Sequence, residues 1–111
     1  MTLCGQFHAQ EATIKLSGSI FGSDSDMLFI SQMYDDNKIK DFDTILMDKE
    51  GKFEKSIILP REDYYLLRLA EFKIHLVCRN NADIKIYGDG KKLNNYCNIL
   101  NSDESVAMNS F

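Results

Sequence analysis

No uninterrupted apolar run in this chain of 111 residues is longer than four; the longest are Met27–Ile30 and Tyr64–Leu67. A helix needs about 20 such residues to cross a bilayer, so no segment reads as a membrane span. Positive charge is not in excess either. Thirteen Lys and Arg against 17 Asp and Glu leave a net charge of −4, with no basic footprint for nucleic acid or anionic lipid. Cysteine is scarce: Cys4, Cys78 and Cys97 are too far apart to make a Cys-x-x-Cys redox pair. The two histidines, His8 and His75, fall short of the paired soft ligands of a structural zinc site, although Cys4-x-x-x-His8 has a ligand-like spacing. A Gly-x-Ser-x-Gly elbow and a phosphate-binding Gly-Lys-Ser/Thr loop are both missing. Gly88-Asp89-Gly90 starts like a dinucleotide fingerprint but lacks the third glycine.

What is present is ordinary globular composition, 44% apolar and 27% charged, which argues against disorder and suits one domain. The dominant period is two. Ile14, Leu16, Gly18 and Ile20 alternate with Lys15, Ser17 and Ser19, as in a half-buried strand. Ser23-Asp24-Ser25-Asp26 reads as a turn, and Met27–Met33 as a strand apolar on both faces. Residues Phe42–Asp48 and Lys52–Leu59 flank Asp48-Lys49-Glu50-Gly51, a hairpin signal because Gly51 tolerates positive φ. Pro60 closes that unit. Tyr65, Leu67 and Leu69 then share one strand face, and Phe72, Ile74, Leu76 and Cys78 the face of the next strand. After a turn at Arg79–Asp83, Ile84 and Ile86 mark a short last strand.

Turn signals every 8–14 residues predict an all-β, antiparallel β-sandwich of about seven strands. The period changes after Gly90: Leu93, Tyr96, Cys97 and Leu100 are spaced for one helical face. Ser102 is placed to cap a second short helix, with Asp103 and Glu104 against its dipole. The expected organisation is a leader over 1–12, with the remnant of a signal peptide as its alternative, a sandwich domain over 13–90, and a helical tail or the start of an inter-domain linker over 91–111.

Few side chains suggest chemistry. Cys78 keeps parity with a core face and Cys97 lies on the apolar side of the expected helix, so both read as packing residues. A Cys78–Cys97 disulfide is the alternative in an oxidising compartment. The neighbouring carboxylates Asp24 and Asp26, Asp35 and Asp36, Asp41 and Asp43, and Asp103 and Glu104 read as solvated groups in polar loops. No catalytic residue, metal ligand or cofactor site is assigned. The aromatics are more informative. Tyr64 and Leu66 occupy the strand face opposite Tyr65 and Leu67, either covered by the tail or presented to a partner. The candidate partner interface is therefore Tyr64, Leu66, Leu93, Tyr96 and Leu100.

One order of motifs stands out across roughly residues 13–100. Leu16-Ser17-Gly18-Ser19-Ile20 is followed by Asp26-Met27-Leu28-Phe29-Ile30, Asp43-Thr44-Ile45 and Asp48-Lys49-Glu50-Gly51-Lys52-Phe53. Next come Tyr64-Tyr65-Leu66, Asn80-Asn81-Ala82-Asp83-Ile84 and Tyr87-Gly88-Asp89-Gly90-Lys91-Lys92-Leu93-Asn94-Asn95-Tyr96. This order resembles the N-terminal domain of unknown function that precedes the thioredoxin-like domain in thiol-disulfide oxidoreductases of the TlpA/ResA type. The family usually has Pro-Gly where this chain has Asn80-Asn81. With no Cys-x-x-Cys, the family's redox residues have no positions here. The resemblance implies a non-catalytic accessory module in the periplasm or cell envelope, docking or positioning a thioredoxin-like domain or an envelope protein substrate. The alternative is a stand-alone binding module for a small ligand, glycan or protein partner. Its mark would be a concave, aromatic-lined pocket around Tyr64 or Tyr34.

Overall fold

The computed structural model describes residues 11–35, 38–93 and 97–109. Among them eight strands and one helix follow in order: β1 (Ala12–Phe21), β2 (Met27–Met33), β3 (Ile39–Leu46), β4 (Lys52–Leu59), β5 (Asp63–Leu69), β6 (Phe72–Cys78), β7 (Asp83–Asp89), β8 (Cys97–Leu100) and α1 (Asp103–Met108). The strands form two four-stranded sheets, ordered β4-β1-β7-β8 and β3-β2-β5-β6. Alternation along each strand turns one row of side chains inward. Ile14, Leu16 and Ile20 of β1 and Ile84 and Ile86 of β7 share one core with Leu28 and Ile30 of β2 and Tyr65, Leu67 and Leu69 of β5. The expected all-β sandwich is the fold found, with eight strands in place of about seven.

β1 is paired on both sides. It runs antiparallel to β4, with Leu16 opposite Lys55, and parallel to β7, with Gly18 opposite Ile86. The parallel pair is the one departure from antiparallel pairing among the described strands. Each flank of β1 depends on one close approach of backbone, Gly18 on the side of β7 and Gly51 on the side of β4. Gly18 sits at φ 146°, where a Cβ would lie 1.8 Å from the Ile86 carbonyl oxygen. Gly51 sits at φ 84°, and a Cβ there would lie 2.1 Å from the Ile20 carbonyl oxygen. Only glycine meets both demands of space and backbone angle.

Two expectations are corrected here. The turn at Asp48–Gly51 forms, with Asp48 Oδ1 accepting from the N–H groups of Glu50 and Lys52 at 2.8 and 2.9 Å. The strands it joins are not a hairpin, however: β3 pairs with β2 and β4 with β1, in different sheets. Gly51 explains this crossing, because its carbonyl accepts the Ile20 N–H at 2.9 Å and so delivers β4 to the flank of β1. The second correction concerns Leu93, Cys97 and Leu100, which do not share a helical face. Residues 97–100 are β8, antiparallel to β7 with Ile99 opposite Ile86. Ile99 points inward and is buried, whereas Leu100 points out and is exposed. The asparagines of this stretch make a weak helix, and the unpaired edge of β7 offers backbone partners that a helix would leave unused. Tyr96 lies outside the described residues, as do Cys4 and His8.

The outer strands carry devices that blunt their edges. Lys55 of β4 points inward and donates to Asp43 Oδ1 and to the Thr44 carbonyl of β3, each at 2.9 Å, which ties the two sheets together on that side. Asp41 and Asp43, read above as loop carboxylates, are thus β3 residues held in ion pairs. On the opposite side α1 packs across β6 and β8. Its N-cap is Ser102, whose side chain accepts from the Ser105 N–H, with Asp103 and Glu104 in the first turn as expected.

Gly18→Ala should lower the unfolding free energy by on the order of 3 kcal/mol or more, or prevent folding outright. Urea unfolding checks this, with Ser19→Ala on the same strand expected to stay within about 0.5 kcal/mol of the parent chain.

Candidate functional site

The outer face of the second sheet begins with a polar cluster at its centre. Arg68 of β5 lies 5.3 Å from the centre of the Phe29 ring, donates to Ser31 Oγ at 3.2 Å and to Asp41 Oδ1 at 2.7 Å. The fully buried Ser31 hydroxyl donates to the same carboxylate. That hydroxyl first, and then the Arg68 guanidinium, hold the Asp41 carboxyl below its usual range against the opposing effect of partial burial. Every polar group here has a partner within the cluster, so it reads as a cover for β2 and not as a reactive centre.

Beyond this cluster the face opens into a groove of about 460 Å³ whose walls include Met33, Tyr34, Arg61, Tyr64, Leu66 and His75. Tyr34, at 57%, and Tyr64, at 59%, are among the most exposed aromatic side chains of the described residues. Alternation on β5 sets Tyr64 there, because Tyr65 goes into the core and Tyr64 therefore goes out, while Tyr34 directly follows the end of β2. Between the tyrosines the polar groups are fixed. Arg61 donates through Nε to Asp63 Oδ2 and through Nη2 to Gln32 Oε1, both at 2.9 Å. Gln32 in turn donates to the Tyr64 carbonyl at 2.9 Å. The Tyr64 N–H, and then Arg61, keep the Asp63 carboxyl below its usual range, again against partial burial. The turn carrying Arg61 is anchored from the core, where the Tyr65 hydroxyl donates to the Arg61 carbonyl at 2.7 Å. Tyr65 itself is wedged edge-on against Phe42, with ring centres 5.5 Å apart.

Of the five residues expected at an interface, Tyr64 and Leu66 do lie side by side on this face, Tyr64 exposed and Leu66 almost covered. Leu93 is 3% exposed and belongs to the core, and Leu100 stands out from the other sheet. The described four therefore form no single surface. The sequence reading missed Gln32, Met33, Arg61, Asp63 and His75 as a group. Arg61 and Asp63 looked like an ordinary turn after Pro60, and only the pairing of Ser31 with Leu66 brings Gln32 beside Tyr64. A second and larger groove, about 580 Å³, runs past Phe21, Tyr87, Lys92 and Cys97 on the first sheet.

Both described cysteines are free thiols, Cys78 buried in the second sheet and Cys97 half-buried in the first. Burial pushes the Cys78 thiol up to about 12 and raises that of Cys97 as well, the opposite of the shift that makes a cysteine nucleophilic. Among the described residues no group of three or more His, Cys, Asp and Glu is arranged to hold a metal ion, and no helix is long and apolar enough to cross a membrane. Gly88-Asp89-Gly90 is part of β7 and a tight turn, in which the Asp89 carbonyl accepts the Lys92 N–H at 3.0 Å. Neither the protein-family models nor the curated proteins searched with this chain match it.

In the folded protein Cys78 should resist Ellman's reagent and react only on unfolding. The sign of its shift sets an alkaline limit. A thiol raised in the folded state keeps its stabilising contribution below the unfolded value near 9 and loses it as pH climbs toward about 12. Unfolding midpoints measured across that window should fall, and fall less in Cys78→Ala when each is compared with its own value at neutral pH.

Proposed function

We propose that this chain is a non-catalytic binding module whose recognition surface is the groove between Tyr34 and Tyr64. One observation carries the reading: two exposed tyrosines line one groove with a guanidinium, a carboxylate and an amide whose positions are already set by mutual hydrogen bonds. Preorganised polar groups with aromatic walls are the usual make-up of a small-molecule site, and the volume falls in the ordinary range. The chemistry suits a sugar ring. Tyrosine faces take its C–H faces, while Arg61, Asp63 and Gln32 offer donors and acceptors to its hydroxyls.

The family resemblance favours a second reading, in which the module sits in the cell envelope and docks a thioredoxin-like domain or its protein substrate. The exposed Met33 and Tyr64 support a protein contact of that kind, since both suit adaptable apolar interfaces. In either reading the chain supplies affinity and position while the chemistry belongs to its partner.

A glycan array probed with the full chain tests the first reading. Tyr64→Ala and Tyr34→Ala should each weaken binding about tenfold or more, corresponding to a lost stacking contact, while thermal stability changes little because both side chains are exposed. An array without binders, together with capture of an isolated thioredoxin-like domain that depends on Tyr64, would move the assignment to the second reading. Binding that survives both substitutions would remove the groove from either.

A further inference from the structure

β6 is the outer strand of its sheet, paired with β5 on one side. Its other edge is covered by side chains of the helical segment. Asn109 puts its amide where the peptide group of a neighbouring strand would lie: Oδ1 accepts the His75 N–H at 2.9 Å and Nδ2 donates to the His75 carbonyl at 2.7 Å. Two residues along, the Val77 N–H donates to Ser105 Oγ at 2.8 Å. An antiparallel partner meets a strand's outward-facing groups at this same spacing of two residues. The bonds made here by two side chains are those a strand would make with its backbone.

The element that supplies them is lightly held. α1 has six residues, of which only Ser105 is buried, and a helix this short has little stability of its own. Its other main tie is Glu104, which accepts from Arg79 Nε and Nη2 at 2.8 and 2.6 Å at an exposed position. Charge is complementary across the contact. Lys73, His75 and Arg79 alternate along one face of β6 and its extension, and no carboxylate lies between 72 and 79. The helix presents Asp103 and Glu104 and has no basic residue in its last turn.

We propose that β6 is a strand-addition edge held closed by α1, and that its partner is an extended segment of another protein with alternating acidic and apolar residues. Such a segment displaces α1 and pairs its backbone with His75 and Val77. Its apolar side chains continue the inner row of Ile74 and Leu76, and its carboxylates face Lys73 and take Arg79 over from Glu104. The edge borders the groove at His75, but peptide pairing is read at the backbone amides of β6 and groove binding at Tyr34 and Tyr64, so the two readings can fail separately.

The test titrates the full chain with the peptide Glu-Val-Glu-Val-Glu-Val-Glu and with its Lys-Val counterpart, following backbone amide shifts. The acidic peptide should move the His75 and Val77 amides. Its affinity should rise about tenfold in Asn109→Ala, because a cap that competes with the peptide has been weakened. Glu104→Gln alters only an exposed ion pair and should raise affinity in the same direction, which keeps the test intact if Asn109→Ala folds poorly. Equal binding of the lysine peptide, shifts confined to other strands, or unchanged affinity in both variants would overturn the proposal. So would dimerisation of either variant without peptide, since the occupant of the edge would then be a second copy of this chain.

Discussion

The sandwich depends on the contact between β1 and β7 at Gly18. Two parallel strands can lie this close only because residue 18 has no Cβ to meet the Ile86 carbonyl. With β4 on its other flank, held in place by the equally tight approach of Gly51 to Ile20, β1 becomes the spine of the first sheet. A parallel partner cannot follow by a tight turn and needs a long crossover. That requirement is met by most of the chain: β2, β3, β5 and β6 build the second sheet while β4 returns to the first, all between β1 and β7. The core they enclose is the consequence.

Once β1 is central, the sandwich has two sides where strand edges face out, and each is managed differently. Between β3 and β4 the device is an inward-pointing charge, Lys55, satisfied by Asp43 and the Thr44 carbonyl. Burial raises the Asp43 carboxyl, but Lys55 and the Thr44 N–H more than offset that and leave it lowered. On the side of β6 and β8 the device is α1, which substitutes hydroxyl and amide side chains for a missing strand. The Lys55 contacts join strands of the two sheets directly. A short polar helix covers its edge through side chains, and that difference directs attention to β6.

Much of this was legible in the residue pattern. Alternation placed Leu16, Leu67, Leu76 and Ile86 in the core, and the spans of β2 and β4 follow directly from the runs Met27–Met33 and Lys52–Leu59. What stayed hidden is non-local. Nothing in Asp48–Gly51 tells a return within one sheet from a crossing between two, because the local turn is the same in both cases. β8 has only four residues, too few for its alternation of Cys97 and Ile99 with Asn98 and Leu100 to outweigh an accidental helical spacing. The turn at Ala70, with φ 53°, carries none of the residue types that usually announce positive φ. The groove was half legible: the exposure of Tyr64 follows from the parity of β5, whereas Gln32 meets it only through the pairing of β2 with β5.

The organisation around β1 makes a direct statement about where the fold is firmest. Amides of β1, bonded on both flanks, should open only when the whole domain unfolds, whereas α1, which buries one residue, should open locally. Native-state hydrogen exchange read residue by residue tests this. Leu16 and Ile20 should exchange at the rate set by global unfolding, together with Ile84 and Ile86, while Asn109 and the α1 amides exchange orders of magnitude faster. If the β1 amides exchange as fast as those of α1, or if β7 opens without β1, the parallel pair is not the element that holds the fold together.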